Sequence, residues 1–370
     1  MRVRRSPHLV FYWRDNALVV YNYATGDVAA ATPVVCALLD YCADWQVAST
    51  LQKAFETSPA LIRRLIAGLL RRNLLHRSDR PVDPRERAMA AMERWNPAAG
   101  FFHTATRHVR FIRTSEAELI LRRQARDWPM PRAVKRIRGA PSIRLPQPFI
   151  DGEFPRVLLA RRTWRRFSSQ KVSREELATA LALSVGVQQW VKTATGDVPL
   201  KTSPSGGARH PVECYVAVQK VTGVRAGLYH YAADAHRLEE VRRGNLTKRL
   251  RVWMPHSEYF ARAAFVVIFT AVFERQLWRY PYARAYRAAL TEAGHVCQTF
   301  CLTATWLGLA PFCLMGLADS EIERDLGVDG VSEAVLYAAG AGVPARGAAW
   351  APLPRGTLTV RPNPAFRRRP

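Results

Sequence analysis

The side chains that could bind an anion are most concentrated in one short segment, residues 161–167. Four of its seven residues are arginines, and Thr163 adds a hydroxyl group. Guanidinium groups held this close together are costly unless an anion neutralises them, and their planar forks match phosphate oxygens in a bidentate way. The composition of the segment therefore fits a phosphate site. A solvated basic helix face, the commoner form of such a charge run, is the alternative.

A loop of small residues follows further along the chain and contains Ser205, Gly206 and Gly207. It leads directly into an apolar segment, residues 214–220, that is typical of a buried strand. Two glycines let backbone amides approach a flat ligand closely. The loop therefore suits a heteroaromatic ring with carbonyl edges, although an ordinary glycine turn has the same composition.

The third candidate set lies on the longest helical pattern of the chain, residues 283–307. Glu292, His295 and Gln298 share one side of this helix. A histidine beside a glutamate can act as a general base, but a hydrogen-bonded core histidine is the more frequent arrangement and is the one we expect. The sequence has no Ser-His-Asp set, no GxGxxG and no Walker-type loop, which argues against hydrolases, Rossmann enzymes and P-loop NTPases.

Two differently built regions must position these candidates. Residues 1–80 contain a hairpin pattern and two helix starts, Thr32-Pro33 and Ser58-Pro59, in which a cap residue precedes a proline. This region is predicted to be a small winged-helix-like domain, a class that binds DNA or peptides. We expect residues 81–150 to form a helical connector and linker, residues 151–348 an α+β domain with an antiparallel-rich sheet, and residues 349–370 a basic tail.

The chain is strongly basic, since its 370 residues carry a formal net charge of +25. The charge indicates an anionic partner or a genome composition that favours arginine. The six cysteines form no CxxC pair and have no accompanying histidine set, so no metal site is predicted and a reducing cytoplasm is expected. Residues 296–318 carry no charge, but Pro311 would break a membrane-spanning helix. A buried helix followed by a short buried strand is expected there.

In their order and spacing, these stretches resemble the nitroreductase-like FMN oxidoreductases and, within them, the SagB-type thiazole/oxazole oxidases. The resemblance covers about residues 90–345. It is carried by residues 161–167, residues 204–207 with 213–216, residues 227–231, residues 292–298 with 307–309, and residues 339–342. Trp95 and residues 102–107 resemble the segment before the domain in the same type. The implied fold is α+β: a dimeric nitroreductase-like FMN domain, whose antiparallel-rich sheet is flanked by helices, preceded by a small winged-helix-like domain.

The resemblance implies a homodimer with two FMN molecules at the subunit interface. The residues that would hold the phosphate and ribityl chain are Arg161, Arg162, Thr163 and Arg165, joined by Arg346 after the final strand. The residues that would line the isoalloxazine from the partner subunit are Ser205, Gly206 and Gly207. The residues that would lie over the ring are Leu314, Met315 and Gly316.

The resemblance also implies a reaction, the oxidation of azolines to azoles in a ribosomally made peptide during natural-product biosynthesis. A base removes the Cα proton, and hydride passes from the adjacent carbon to FMN. Some members of the family use a Lys-Tyr pair as the base, whereas Thr202 follows Lys201 here. The expected catalytic residues are therefore Lys201 and Tyr286, with Tyr280 and Tyr282 as further substitutes for the missing tyrosine.

The expected partners are a peptide substrate and a cyclodehydratase. The N-terminal domain would bind the leader of the peptide as an added strand at a sheet edge, and neither a membrane nor nucleic acid is expected to bind. One alternative is an NAD(P)H-dependent FMN reductase of small quinones or nitroaromatics. Another is a non-enzymatic binder of nucleic acid or peptide.

Overall fold

The computed structural model describes residues 1–346 apart from residues 56–57, 108–110, 113, 128–130, 132, 136–142, 144 and 256. The predicted basic tail, residues 349–370, therefore lies outside the described residues. So do nine of the sixteen residues of the extended linker predicted for residues 132–147.

The N-terminal region is built from three short helices and two small antiparallel sheets. The strands are β1 (Arg2–Arg5), β2 (Leu9–Arg14), β3 (Ala17–Asn22), β4 (Asp27–Ala30), β5 (Gln46–Val47) and β6 (Leu75–Arg77), and the helices are α1 (Pro33–Tyr41), α2 (Ala48–Ala54) and α3 (Pro59–Arg71). The strand orders are β5-β1-β6 and β2-β3-β4. Asp15 and Asn16, which join β2 to β3, have positive φ as tight hairpin turns require. The predicted hairpin and the helix starts at Pro33 and Pro59 are thus observed.

A helical connector follows this region, and its first three helices pack against the large sheet. It consists of α4 (Pro84–Met89), a 3₁₀ helix (Ala90–Trp95), α5 (Ala98–Arg107) and α6 (Thr114–Asp127). Trp95 is fully buried, and its Nε1 donates a hydrogen bond to the carbonyl oxygen of Tyr280 at 2.9 Å. Tyr23, from the N-terminal region, packs into the same apolar cluster as Trp95. The connector therefore links the N-terminal region and the C-terminal region through one shared apolar cluster.

The C-terminal region is a six-stranded antiparallel sheet with helices around it. The strands of the six-stranded sheet are β9 (Val212–Val218), β10 (Gly227–Ala232), β11 (Arg237–Arg243), β12 (Phe265–Val272), β13 (Ala310–Leu314) and β14 (Glu333–Gly342). Two further strands of this region are β7 (Gln189–Thr193) and β8 (Gly196–Leu200). Its helices are α7 (Glu153–Ala160), α8 (Arg174–Val185), α9 (Thr247–Trp253), α10 (Phe273–Arg279), α11 (Tyr286–Trp306) and α12 (Asp319–Leu326). The sheet order is β11-β10-β9-β12-β14-β13, and β7 pairs with β8 as a separate hairpin. The predicted α+β class with an antiparallel sheet is confirmed.

The two faces of the large sheet are covered by different helices, as the alternation of side chains along a strand requires. On β12, Phe265, Val267 and Phe269 enter the cluster that contains residues of α8 and α11. The intervening Val266 and Ile268 enter the cluster that contains residues of α9 and α12. The apolar strand β12 is therefore buried on both faces and forms the centre of the domain.

The uncharged segment 296–318 forms the second half of α11 and the short strand β13, as predicted. Among the described residues, no helix is both long and apolar enough to cross a membrane.

Candidate functional site

The basic segment 161–167 lies along the edge of the large sheet. Helix α7 ends at Ala160, and the chain then continues without helical structure. The backbone N–H of Trp164 donates to Pro311 of β13 at 2.9 Å, and that of Ser168 donates to Val343 at 2.9 Å. The segment therefore runs beside the edge strand and beside the residues that follow β14. A solvated helix face, the alternative left by the sequence, is excluded for this segment.

This arrangement brings several predicted cofactor residues to one edge of the sheet. We call residues 161–166, Leu314–Gly316 and Arg346 together the arginine edge. Arg166 and Arg346 are both exposed. Arg346 lies near the basic segment because Pro344, two residues before it, is paired with Phe167. Met315 is 74% exposed and Gly316 is exposed, whereas Leu314 packs partly into the core. The edge thus carries positive charge next to an exposed apolar surface formed by Met315.

The arginines of this edge differ in their hydrogen bonds within the chain. The Nη1 of Arg162 donates to the carbonyl oxygens of Leu159 at 2.8 Å and Arg161 at 2.7 Å, and so caps the end of α7. The Nε of Arg165 is buried and has no hydrogen-bond partner among the described residues. A buried guanidinium nitrogen without a partner is costly. Arg165 is therefore the residue whose position is best explained by an external anion.

The loop with Ser205, Gly206 and Gly207 lies against α10. A Cβ atom at Gly206 would lie 2.9 Å from the Nε2 of Gln276. Gly207 has a φ of +62°, and a Cβ there would lie 2.7 Å from the side chain of Arg279. Both glycines are thus required by close packing inside the chain, and Ser205 Oγ accepts a hydrogen bond from the N–H of His210 at 2.9 Å. These contacts fix the shape of the loop.

Lys201 and residues 208–210, which directly follow Gly207, border a cleft of about 570 Å³, which we call the Lys201 cleft. Other residues of its lining are Glu213, His230, Arg275 and Trp278. The carboxylate of Glu213 lies 3.0 Å from the Nε2 of His230 and 2.5 Å from the Nη1 of Arg275. Glu213, which lies in a segment that carries the family resemblance but was given no site role, therefore organises the charged groups of the cleft.

The charges of the cleft shift the protonation of its members. Burial lowers the pKa of Lys201, which Glu213 opposes and Arg275 reinforces. Burial by itself would raise the pKa of Glu213, but the hydrogen bonds from His230 and Arg275 leave that pKa below its ordinary value. The hydrogen bond to Glu213 in turn raises the pKa of His230. The cleft thus favours an ionised Glu213 and a lysine that loses its proton more readily than usual.

Tyr286 is not part of this cleft, which corrects the expectation that it acts as a catalytic residue. Its side chain is 6% exposed, and its hydroxyl lies 2.9 Å from the Nδ1 of His103. Its ring packs against Trp95 and Phe273, and burial raises its pKa. Because the hydroxyl group is enclosed in the core, Tyr286 has a packing role. Of the other candidate tyrosines, Tyr280 is the one beside the loop, with its hydroxyl 2.9 Å from the Cβ position of Gly207.

The histidine predicted to lie in the core is on the surface. His295 is exposed, and its Nδ1 lies 3.4 Å from the carbonyl oxygen of Pro204. The buried Glu292 instead faces His210, with 3.7 Å between its Oε1 and the histidine Nδ1. His210 directly precedes Pro211 at the end of the loop. This position was the only feature of the sequence that could have indicated His210 as the partner of Glu292.

The arginine edge and the Lys201 cleft are far apart within one chain. Glu213 on β9 is paired with Thr270, and Thr270 with Val335 of β14. Pro311, which bonds the arginine segment, is paired with Ala341. The level of Pro311 differs from that of Glu213 by six residues along β14, roughly 20 Å, whereas the level of Leu314, paired with Ala338, differs by three, roughly 10 Å. In addition, β9 is three strand spacings from β13, roughly 14 Å across the sheet. The two groups of predicted site residues therefore do not meet within one protomer.

Comparison with known proteins identifies relatives of the C-terminal region. The Nitroreductase family model matches residues 158–343. The trifolitoxin-processing protein TfxB of Rhizobium leguminosarum bv. trifolii is 34% identical over 151 residues, which are 39% of this chain and 40% of TfxB. MJ1384 of Methanocaldococcus jannaschii, named as a nitroreductase, is 33% identical over 170 residues, 46% of this chain and 82% of that protein.

A third relative is the microcin B17-processing protein McbC of Escherichia coli. It is 31% identical over 131 residues, which are 34% of this chain and 48% of McbC. The chain thus spans less than half the length of each of the two peptide-processing relatives.

Proposed function

We propose, from the premise that the chain belongs to the nitroreductase family, that it is an FMN-dependent oxidoreductase that oxidises azolines to azoles in a ribosomally made peptide. The names of two relatives, TfxB and McbC, describe the processing of trifolitoxin and microcin B17. The structural observation that carries the cofactor assignment is the buried Nε of Arg165 on the arginine edge, which has no hydrogen-bond partner in the described part of the chain.

The donor set of the arginine edge fits the phosphate of FMN. Arg161 and Arg165 are partly buried and would bind its oxygens, and Thr163 would add a hydroxyl donor. Arg162 would hold the end of α7 in place through its backbone contacts. The exposed Met315 and Gly316 would lie against the flat ring. The bound FMN would supply the redox chemistry by accepting hydride from the substrate.

A homodimer would bring the two separated groups of residues together. Within one chain the Lys201 cleft and the arginine edge lie at different levels and on different strands of the sheet. Around α7, four large apolar side chains are 41–67% exposed: Phe154, Leu158, Leu159 and Trp306. A second copy of the chain would cover this apolar surface. It would then place the Lys201 cleft of one protomer opposite the arginine edge of the other.

Lys201 is the proposed base, with its Nζ as the proton acceptor. Its lowered pKa increases the neutral fraction that can remove a Cα proton. Glu213 is already paired with His230 and Arg275, which limits its ability to hold Lys201 in the charged form. Tyr280, next to Gly207, would orient the substrate beside the loop.

The N-terminal region offers a groove for a leader peptide. The groove is about 630 Å³ in size, and its lining includes Arg4, Arg5, Leu9 and Phe11. Strand β2 is at the edge of its sheet, and Phe11 is 48% exposed. An acidic, partly apolar leader strand would suit this winged-helix-like region and its free edge. A cyclodehydratase partner would supply the azolines, and the six free thiols fit a reducing cytoplasm.

A reductase of small quinones or nitroaromatics is the second candidate. The observation that favours it is the match to MJ1384, since this chain covers 82% of that protein. In the azoline oxidase, a peptide reduces the cofactor and a separate electron acceptor reoxidises it. In the reductase, NAD(P)H reduces the cofactor and a small quinone or nitroaromatic reoxidises it.

The deciding experiment gives the purified full chain an azoline-containing peptide and follows the peptide mass. We expect yellow protein with bound FMN and the loss of two hydrogens per ring, which requires an electron acceptor such as oxygen. Rapid NADPH-dependent nitro reduction without any change in the peptide would support the reductase instead. Colourless protein that takes up no added FMN would contradict both.

A further inference from the structure

Three cysteines from two elements meet behind the arginine edge. Cys297 and Cys301 are one helical turn apart on α11, and Cys313 lies on β13. Their three Sγ atoms all lie within 4.8 Å of one another. Among the described residues, no other group of three His, Cys, Asp or Glu side chains is close enough to hold a metal ion. The cluster adjoins the arginine edge, because Cys313 directly precedes Leu314. None of its members is in the lining of the Lys201 cleft.

The geometry of the cluster suits metal coordination by sulfur. A cation bound at about 2.3 Å from each sulfur needs sulfurs roughly 3.8–4.0 Å apart. The most distant pair would therefore have to move by about 1 Å or less. Cys297 and Cys301 are each 2% exposed, while Cys313 is only partly buried. The partly open Cys313 provides a route by which a cation can enter.

Charge decides which class of cation fits this apolar surrounding. The guanidinium of Arg161 acts electrostatically on both Cys301 and Cys313. Three thiolates and a divalent cation carry one net negative charge beside this guanidinium, whereas a monovalent cation would leave two. Uncompensated charge in an apolar interior is strongly unfavourable. Thiolate ligands also select soft or borderline cations over Mg²⁺ or Ca²⁺.

We propose that Cys297, Cys301 and Cys313 form a binding site for a thiophilic divalent cation of the Zn²⁺ class. Sequence analysis predicted no metal site because Cys313 is twelve positions beyond Cys301 and no CxxC motif marks the set. The site joins α11 to β13, and Arg161 connects it to the start of the basic segment. Cation binding therefore stabilises the sheet edge on which the arginine segment lies, whatever substrate the protein acts on.

The test titrates the full chain with Zn²⁺ and Cd²⁺, anaerobically and with a non-thiol reductant, after a chelator has removed bound metal. We expect one equivalent of Cd²⁺ to produce a thiolate-to-metal ultraviolet band and one equivalent of Zn²⁺ to raise the Tm. Cys313→Ala should weaken binding by more than the roughly 100-fold that loss of an outer-sphere partner costs. Cys301→Ala provides an independent second variant.

Matched controls use cysteines outside the cluster. Cys36→Ala matches the partly buried Cys313, and Cys214→Ala matches the buried Cys301. Both controls should keep the band, the stoichiometry and the Zn²⁺-dependent rise in Tm. The proposal is overturned if the reduced wild-type chain shows no band, or if Cys313→Ala and Cys301→Ala bind Cd²⁺ as the wild type does.

Discussion

At the arginine edge, the Nε of Arg165 is buried without a partner among the described residues, whereas in the Lys201 cleft Glu213 is bonded to both His230 and Arg275. At Arg165, the first region therefore holds a buried guanidinium nitrogen to which no described residue bonds. The second balances its charges internally and leaves one lysine with a lowered pKa. An uncompensated guanidinium binds an external anion, while a balanced cleft controls where a proton resides.

In the proposed function, the arginine edge binds the cofactor and the Lys201 cleft transfers the proton, so each region has its own experimental signature. Changes at the arginine edge should alter cofactor occupancy. Changes in the Lys201 cleft should alter rate and its dependence on pH while the cofactor stays bound.

The largest effect is expected for Lys201→Ala. Loss of a positioned base typically lowers a rate by roughly 10²- to 10⁴-fold. FMN occupancy should remain that of the wild type, because the arginine edge is unchanged. Single-turnover oxidation of an azoline peptide measures the rate, and flavin absorbance measures occupancy. Lys192→Ala on the exposed strand β7 is the control. Equal rates for the two variants would remove Lys201 from the reaction.

Arg165→Ala is expected to have the next largest effect, on binding. A charge-assisted hydrogen bond contributes about 1.5–3 kcal/mol, so affinity for FMN should fall roughly 10- to 100-fold. The matched control is Arg166→Ala, since that neighbouring arginine is exposed. Fluorescence titration of apoprotein with FMN measures both. If the two variants bind FMN equally, Arg165 does not contact the phosphate.

The arginine edge could be predicted from the sequence because its chemistry is local. Four arginines within seven residues are visible without any fold, and the segments that form β13 and β14 are apolar runs typical of strands. The structure added that the buried Nε of Arg165 has no partner among the described residues and that Arg162 caps α7. Those distinctions depend on side-chain direction, which composition does not encode.

The Lys201 cleft could be predicted only in part, because its members meet through strand register and helix packing. Glu213 lies on β9 and His230 on β10, and they are close because His230 is paired with Tyr215, two residues after Glu213. Arg275 arrives from α10, more than sixty residues from Glu213 along the chain. Tyr286 was expected in the site as a substitute for the tyrosine of the family's Lys-Tyr pair, because Thr202 follows Lys201. Its side chain points into the core, a direction that helical periodicity alone did not settle.

A smaller effect is expected for Glu213→Gln, on the pH dependence of the rate. The negative charge of Glu213 raises the pKa of Lys201 and partly offsets the effect of burial. Its removal should lower the Lys201 pKa further, so the neutral lysine persists to lower pH. The acid limb of the rate profile should therefore move to lower pH. A profile with unchanged limbs, or one that moves to higher pH, would show that Lys201 is not the titrating base.

The smallest effect concerns Tyr286, which lies outside both regions. Tyr286→Phe keeps the ring contacts with Trp95 and Phe273 but removes the hydrogen bond to His103. A buried hydrogen bond contributes about 1 kcal/mol net, so the free energy of unfolding should fall by about that amount. The rate per bound flavin should stay unchanged, because the hydroxyl is enclosed in the core. Denaturant unfolding measures the free energy of unfolding, and single-turnover kinetics measure the rate per bound flavin. A large loss of rate with normal stability would show that Tyr286 acts in the reaction and would contradict its assignment to the core, outside both regions.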